Sequence, residues 1–118
     1  MYEEKRRYPR LDINVNINWK KVVENTASDT VVRGVSKNIS EGGICLIVYE
    51  RLNIGDVVVL DIELPVGKVI KSRGKVAWVK DFEIIGREKG YDVGVELIDI
   101  SQQDRDILRN FVFKLLNK

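Results

Sequence analysis

Two short segments hold most of the side chains able to do chemistry. The first is Lys5-Arg6-Arg7-Tyr8-Pro9-Arg10, and within residues 1 to 10 four basic groups outweigh two glutamates. Guanidinium groups are planar forks that match phosphate oxygens and the O6/N7 edge of guanine, and they also stack on flat rings. Arg6 and Arg10 are therefore candidates to clamp a guanine nucleotide. Pro9 disfavours helix at Tyr8 and has no backbone N–H, so residues 1–10 are expected to form an extended, flexible arm. The second segment is Asn38-Ile39-Ser40-Glu41-Gly42-Gly43. It offers an amide that can pair with a base edge, a hydroxyl for a phosphate or base, and glycines that let backbone approach a ligand. Taken alone, each segment has an ordinary reading: a solvated charged terminus, and a loop between strands.

The composition excludes several other chemistries. The chain has no histidine and one cysteine, Cys45, so it lacks the usual ligand set for zinc and the commonest general base. No nucleophile–base pair or phosphate-cradling loop is present, so the chain reads as a non-enzyme without metal or cofactor. A single thiol rules out an internal disulfide and fits a reducing compartment. The first residues are charged and lead into no apolar stretch of signal-peptide or membrane-spanning length. A cytoplasmic address without membrane insertion is the simplest expectation. At 118 residues, with 44% hydrophobic content, the chain suits one compact domain. A formal net charge of +2 gives no broad positive field of the kind a DNA or RNA binder needs.

The elements that must position these residues are mostly strands. From Leu11 to Trp19 every odd residue is apolar and every even one polar, the pattern of a half-buried strand. Thr30 to Ser36 reads as a second strand running into turn formers at 38–43, and Gly43 to Val48 as a third. Val57 to Leu64 is a β-branched run stopped by Pro65 and Gly67, and it predicts a hairpin with a fifth strand over 69–79. Gly74 inside that strand marks a bulge or barrel corner. Tyr91 to Ile98 is the sixth strand. After Ser101, a credible N-cap, the apolar residues Ile107, Leu108, Phe111, Val112, Leu115 and Leu116 recur at helical spacing, giving a helix over about 101–116 that docks across the barrel's open end. The expected fold class is all-β: a six-stranded antiparallel β-barrel over residues 11–118, with a C-terminal α-helix. Trp19, Trp78 and Phe82 read as core or rim packing, although an exposed Trp78 would flank a ligand. Cys45 reads as a small packed hydrophobe.

The two segments together resemble the paired signature of the PilZ family, Arg-x-x-x-Arg followed by Asp/Asn-x-Ser-x-x-Gly. Here the matching residues are Arg6 and Arg10, then Asn38, Ser40 and Gly43. The likeness extends to a strand directly after the arginines, to Ala77-Trp78-Val79, to Tyr91-Asp-Val-Gly-Val-Glu-Leu and to a helix containing Asp104-Arg105, and so covers nearly the whole chain. The resemblance implies a receptor for the bacterial second messenger cyclic di-GMP, held on the outside of the barrel. By the same carry-over, Arg6 and Arg10 contact guanine and phosphate, Asn38 reads a guanine edge, Ser40 adds a hydrogen bond and Gly43 keeps the surface clear. Arg7 and Trp78 are auxiliary, and Lys5 occupies a position that bears on whether one nucleotide or a stacked pair is held. Ligand binding would order the arm and change the surface offered to a downstream protein partner. The competing expectation is a nucleotide-independent adaptor with the same fold.

Overall fold

A computed structural model describes residues 8–24, 26–83 and 89–117. Its strands are β1 (Leu11–Asp12), β2 (Asn16–Val23), β3 (Thr26–Ala27), β4 (Val32–Ile39), β5 (Gly43–Val48), β6 (Val57–Leu64), β7 (Lys68–Glu83) and β8 (Lys89–Ile100), followed by helix α1 (Gln102–Leu116). The six long strands run in the order β4-β5-β8-β7-β6-β2, and β2 also pairs with β4, which closes an antiparallel barrel. Closure satisfies the strand edges that an open sheet would expose.

The alternation at the start of the chain places Val15, Ile17 and Trp19 in the core, with Trp19 only 1% exposed. The expected first strand is nevertheless broken in two. Leu11 and Asp12 pair with Ile39 and Asn38, whereas Asn16 to Trp19 pair with Val35 to Val32, leaving one extra residue between them. Ser36 fills the break. Its buried hydroxyl accepts a hydrogen bond from the Val15 N–H (2.9 Å) and donates one to the Ile13 carbonyl (2.6 Å). The Ser36 carbonyl accepts from Asn14 Nδ2 (2.7 Å), and its N–H donates to the Val15 carbonyl (3.0 Å).

The expected hairpin between β6 and β7 forms through Pro65-Val66-Gly67, with Gly67 at φ +81°. The register of β7 against β8 shifts between Arg73 and Gly74, as the interior glycine suggested. Several boundaries differ from the sequence reading. Strand β2 runs on into residues expected to be a loop, β7 continues to Glu83, and Asn38 sits within β4 instead of in the turn that follows it.

Helix α1 starts where predicted. Ser101 accepts a hydrogen bond from the Asp104 N–H (3.1 Å), and the Asp104 carboxylate accepts one from the Lys71 backbone N–H (3.1 Å), tying the first turn to β7. Leu108, Phe111 and Val112 join the barrel's core cluster with Leu60, Ile62 and Ile70. Each such fully buried side chain contributes roughly 1.5–3 kcal/mol, and so the helix is held by its apolar face.

Candidate functional site

Two one-residue shifts in register decide what the outer surface displays. Inward positions on β4 are even up to Ser36. The irregularity between Ser36 and Asn38 makes Lys37 the extra residue, after which Ile39 points inward and Asn38 outward. A second shift, between Val76 and Trp78, makes Ala77 extra on β7. Val76 is buried, but Trp78 is turned out and 39% exposed. Of the readings open for Trp78, core or rim packing against an exposed ring beside a ligand, burial in the core is excluded, and the cause is the bulge. Phe82 does sit at the rim, over Gly90.

The outward row runs across four strands. Asn38 on β4 pairs with Cys45 on β5, Cys45 with Gly94 on β8, and Gly94 with Trp78 on β7. A Cβ on Gly94 would collide with the Trp78 indole, so the ring lies directly over this glycine. Such aromatic-over-glycine pairing across strands is a recognised way of covering a glycine. Cys45 lies between the core residues Ile44 and Leu46 yet faces the opposite way, and it is still 2% exposed. Burial pushes its thiol pKa up, with Asp92 adding to the effect, so the thiol stays protonated and unreactive. Beside it, Lys37 bonds to Asp92 (3.1 Å), and this hydrogen bond and charge raise the lysine's pKa.

At one end of this row lies a groove of ≈ 500 Å³, lined by Tyr8, Arg10, Ser40, Gly42, Gly43, Trp78, Glu96 and Arg105, among others. The structure therefore gathers Arg10, Asn38, Ser40, Gly43 and Trp78 on one face. Arg10 Nη1 donates to Asn38 Oδ1 (3.4 Å), joining the two signature segments directly. Arg6, Lys5 and Arg7 lie outside the described residues.

The turn after β4 is internally satisfied. Ser40 Oγ accepts from the N–H groups of Gly42 (3.3 Å) and Gly43 (3.1 Å) and donates to the Gly43 carbonyl (3.2 Å). At 4% exposure, Ser40 first builds the turn. Gly43 also has an internal requirement, because a Cβ there would lie 2.8 Å from the Val95 carbonyl oxygen. The close approach of β5 to β8 demands glycine whatever occupies the groove.

Three lining residues with polar side chains were not singled out as site residues from sequence. Arg105 reaches the groove from α1, and its Nη1 donates to the Glu41 carbonyl (3.4 Å). Glu96 projects outward between the buried Val95 and Leu97. Tyr8 lies against Gly42. A groove bordered by two arginines, a carboxylate and an exposed indole suits a ligand that is anionic in one part and an aromatic base in another. Among the described residues no cluster of three potential metal ligands occurs, and no helix is long and apolar enough to cross a membrane.

The strands thus form a closed antiparallel barrel with an external groove. A family model for the PilZ domain matches residues 4–114, and the chain belongs to that family. Solved structures share the fold. The Bacillus subtilis inhibitor of motility MotI/DgrA overlays at a TM-score of 0.76 and 22% identity, over 98% of this chain and 53% of that one. The PilZ domain of YcgR from Escherichia coli, determined with c-di-GMP, overlays at a TM-score of 0.72 and 12% identity, over 97% and 93%. The MrkH–c-di-GMP complex from K. pneumonia gives a TM-score of 0.71 at 18% identity, over 98% and 54%. This chain spans about half the length of MotI/DgrA and of MrkH. No curated protein matches it in sequence.

Proposed function

We propose that this domain is a receptor for cyclic di-GMP that binds the nucleotide without altering it. The observation that carries the reading is the meeting of Arg10, Asn38 and the Ser40–Gly43 turn on one outer face, beside the exposed Trp78. Family neighbours determined with c-di-GMP support the choice of ligand. In this reading Arg10 and Arg6 hold guanine and phosphate, and Asn38 pairs with a guanine edge. Ser40 contributes through the turn it builds and by a further hydrogen bond, while Gly43 leaves the surface open. Trp78 stacks at the border of the groove, and Lys5 and Arg7 add positive charge. Glu96 can accept from the N1–H and N2–H₂ donors of guanine, which adenine lacks.

The arm of residues 1–10 is fixed onto the barrel when ligand binds, altering the surface that a partner protein meets in the cytoplasm. Ordering costs on the order of 1–2 kcal/mol per residue. Since Tyr8 and Arg10 already touch barrel residues, the charge-assisted contacts have only part of that cost to offset.

The test is calorimetric titration with cyclic di-GMP, cyclic di-AMP, GMP and single-stranded DNA. Saturable heat is expected for cyclic di-GMP, with cyclic di-AMP at least about 10-fold weaker because each base forfeits a site-matched hydrogen-bonding edge. A folded protein that binds none of the four would instead support the nucleotide-independent adaptor.

A further inference from the structure

The aromatic ring between the signature arginines has a defined seat. A Cβ built on Gly42 would fall against Cδ2 and Cε2 of Tyr8, so the ring occupies the space where a side chain at position 42 would stand. Gly42 cannot easily yield that space. Its N–H is held by Ser40 Oγ (3.3 Å), and its carbonyl accepts from the Leu97 N–H (3.1 Å) across to β8. Nor does the backbone itself require glycine there, since the described glycines with positive φ are Gly55 and Gly67. The need for glycine at 42 comes from Tyr8 alone.

The residues around Tyr8 complete the arrangement. Pro9 restricts Tyr8 to extended conformations, Arg10 bonds Asn38, and Leu11 begins the pairing with Ile39. The segment is thereby held at two points in succession, first by the ring on Gly42 and then by the guanidinium on Asn38.

We infer that Tyr8 is a positioning residue: its ring, seated on Gly42, holds the arginine-bearing segment beside the groove before any ligand arrives. Its consequence for affinity rests on the cyclic di-GMP reading above, whereas the seat itself is a property of the ligand-free protein. Preorganisation of this kind raises affinity by reducing the ordering left to binding. The contact with Gly42 is made by the ring carbons Cδ2 and Cε2.

Two measurements on the full chain test the inference, with Tyr8→Ala, Tyr8→Phe, Gly42→Ala and the double variant Tyr8→Ala/Gly42→Ala. In NMR spectra of the ligand-free protein, a Gly42 Hα signal should be displaced by the ring current in the wild type and in Tyr8→Phe, and should return to ordinary values in Tyr8→Ala. In cyclic di-GMP titrations, Tyr8→Ala and Gly42→Ala should each weaken binding by about 10-fold, and the double variant by the same factor, because both remove one contact. Tyr8→Phe should bind like the wild type. The NMR result decides the seat even if no nucleotide binds, which separates its failure from failure of the receptor reading. An undisplaced Gly42 Hα in the wild type, or losses that multiply to about 100-fold in the double variant, would overturn the inference. If Gly42→Ala does not fold, the comparison of Tyr8→Ala with Tyr8→Phe still decides.

Discussion

Arg10→Ala is expected to weaken cyclic di-GMP binding by about 100-fold, the loss of about 3 kcal/mol that one or two charge-assisted hydrogen bonds supply. Arg10 is half-buried at the groove, and its guanidinium already touches Asn38 from the same face. The charge and the planar fork should be separable. Arg10→Lys keeps the positive charge but loses the bidentate geometry, so it should fall between, near a 10-fold loss. Folding should hardly respond, because the contact to Asn38 is long and partly solvated; a melting temperature within about 2 °C of the wild type is expected. Equal affinities for wild type and Arg10→Ala, measured calorimetrically at one salt concentration, would remove Arg10 from the site.

Ser36→Ala should be the most costly small change in the barrel, lowering stability by about 3 kcal/mol. The hydroxyl is fully buried and answers both the Val15 N–H and the Ile13 carbonyl. Removing it strands the buried Val15 N–H, at about 1–3 kcal/mol, and takes the partner from the half-buried Ile13 carbonyl. For a domain of this size the melting temperature should fall by roughly 10 °C. Because Ser36 also anchors the strand immediately before the bulge that turns Asn38 outward, nucleotide affinity should drop as well. A change within about 0.5 kcal/mol, as for an ordinary surface substitution, would mean that the break in the first strand is satisfied some other way.

What the sequence disclosed depended on period. The odd-numbered apolar residues of 11–19 and the helical stripe after Ser101 are regular patterns, and both faced the core as expected, save Leu116, which the last turn of the helix leaves 42% exposed. The bulges were harder to read. Lys37 and Ala77 carry no compositional mark, yet each reverses the inward phase beyond it, so an unbroken alternation could not tell that Asn38 and Trp78 share an outer face. Gly74, a glycine inside a strand, did mark its irregularity. Arg105 was visible only as part of the family likeness, because the direction in which α1 docks is set by packing and not by local sequence. The Gly42-Gly43 doublet looked like one permissive turn, but the two glycines answer different neighbours: the Tyr8 ring and the Val95 carbonyl.

Cyclic di-GMP is proposed to occupy the outer groove between Arg10 and Trp78. A ¹H–¹⁵N correlation titration of the whole chain tests it most directly. The prediction is that signals from Arg10, Asn38, the Ser40–Gly43 turn, Gly94 and the Trp78 indole N–H move and saturate with added nucleotide, while the buried Trp19 indole N–H on the far side of the barrel wall stays in place. Unchanged spectra at millimolar nucleotide, or shifts gathered on another face of the barrel, would contradict it.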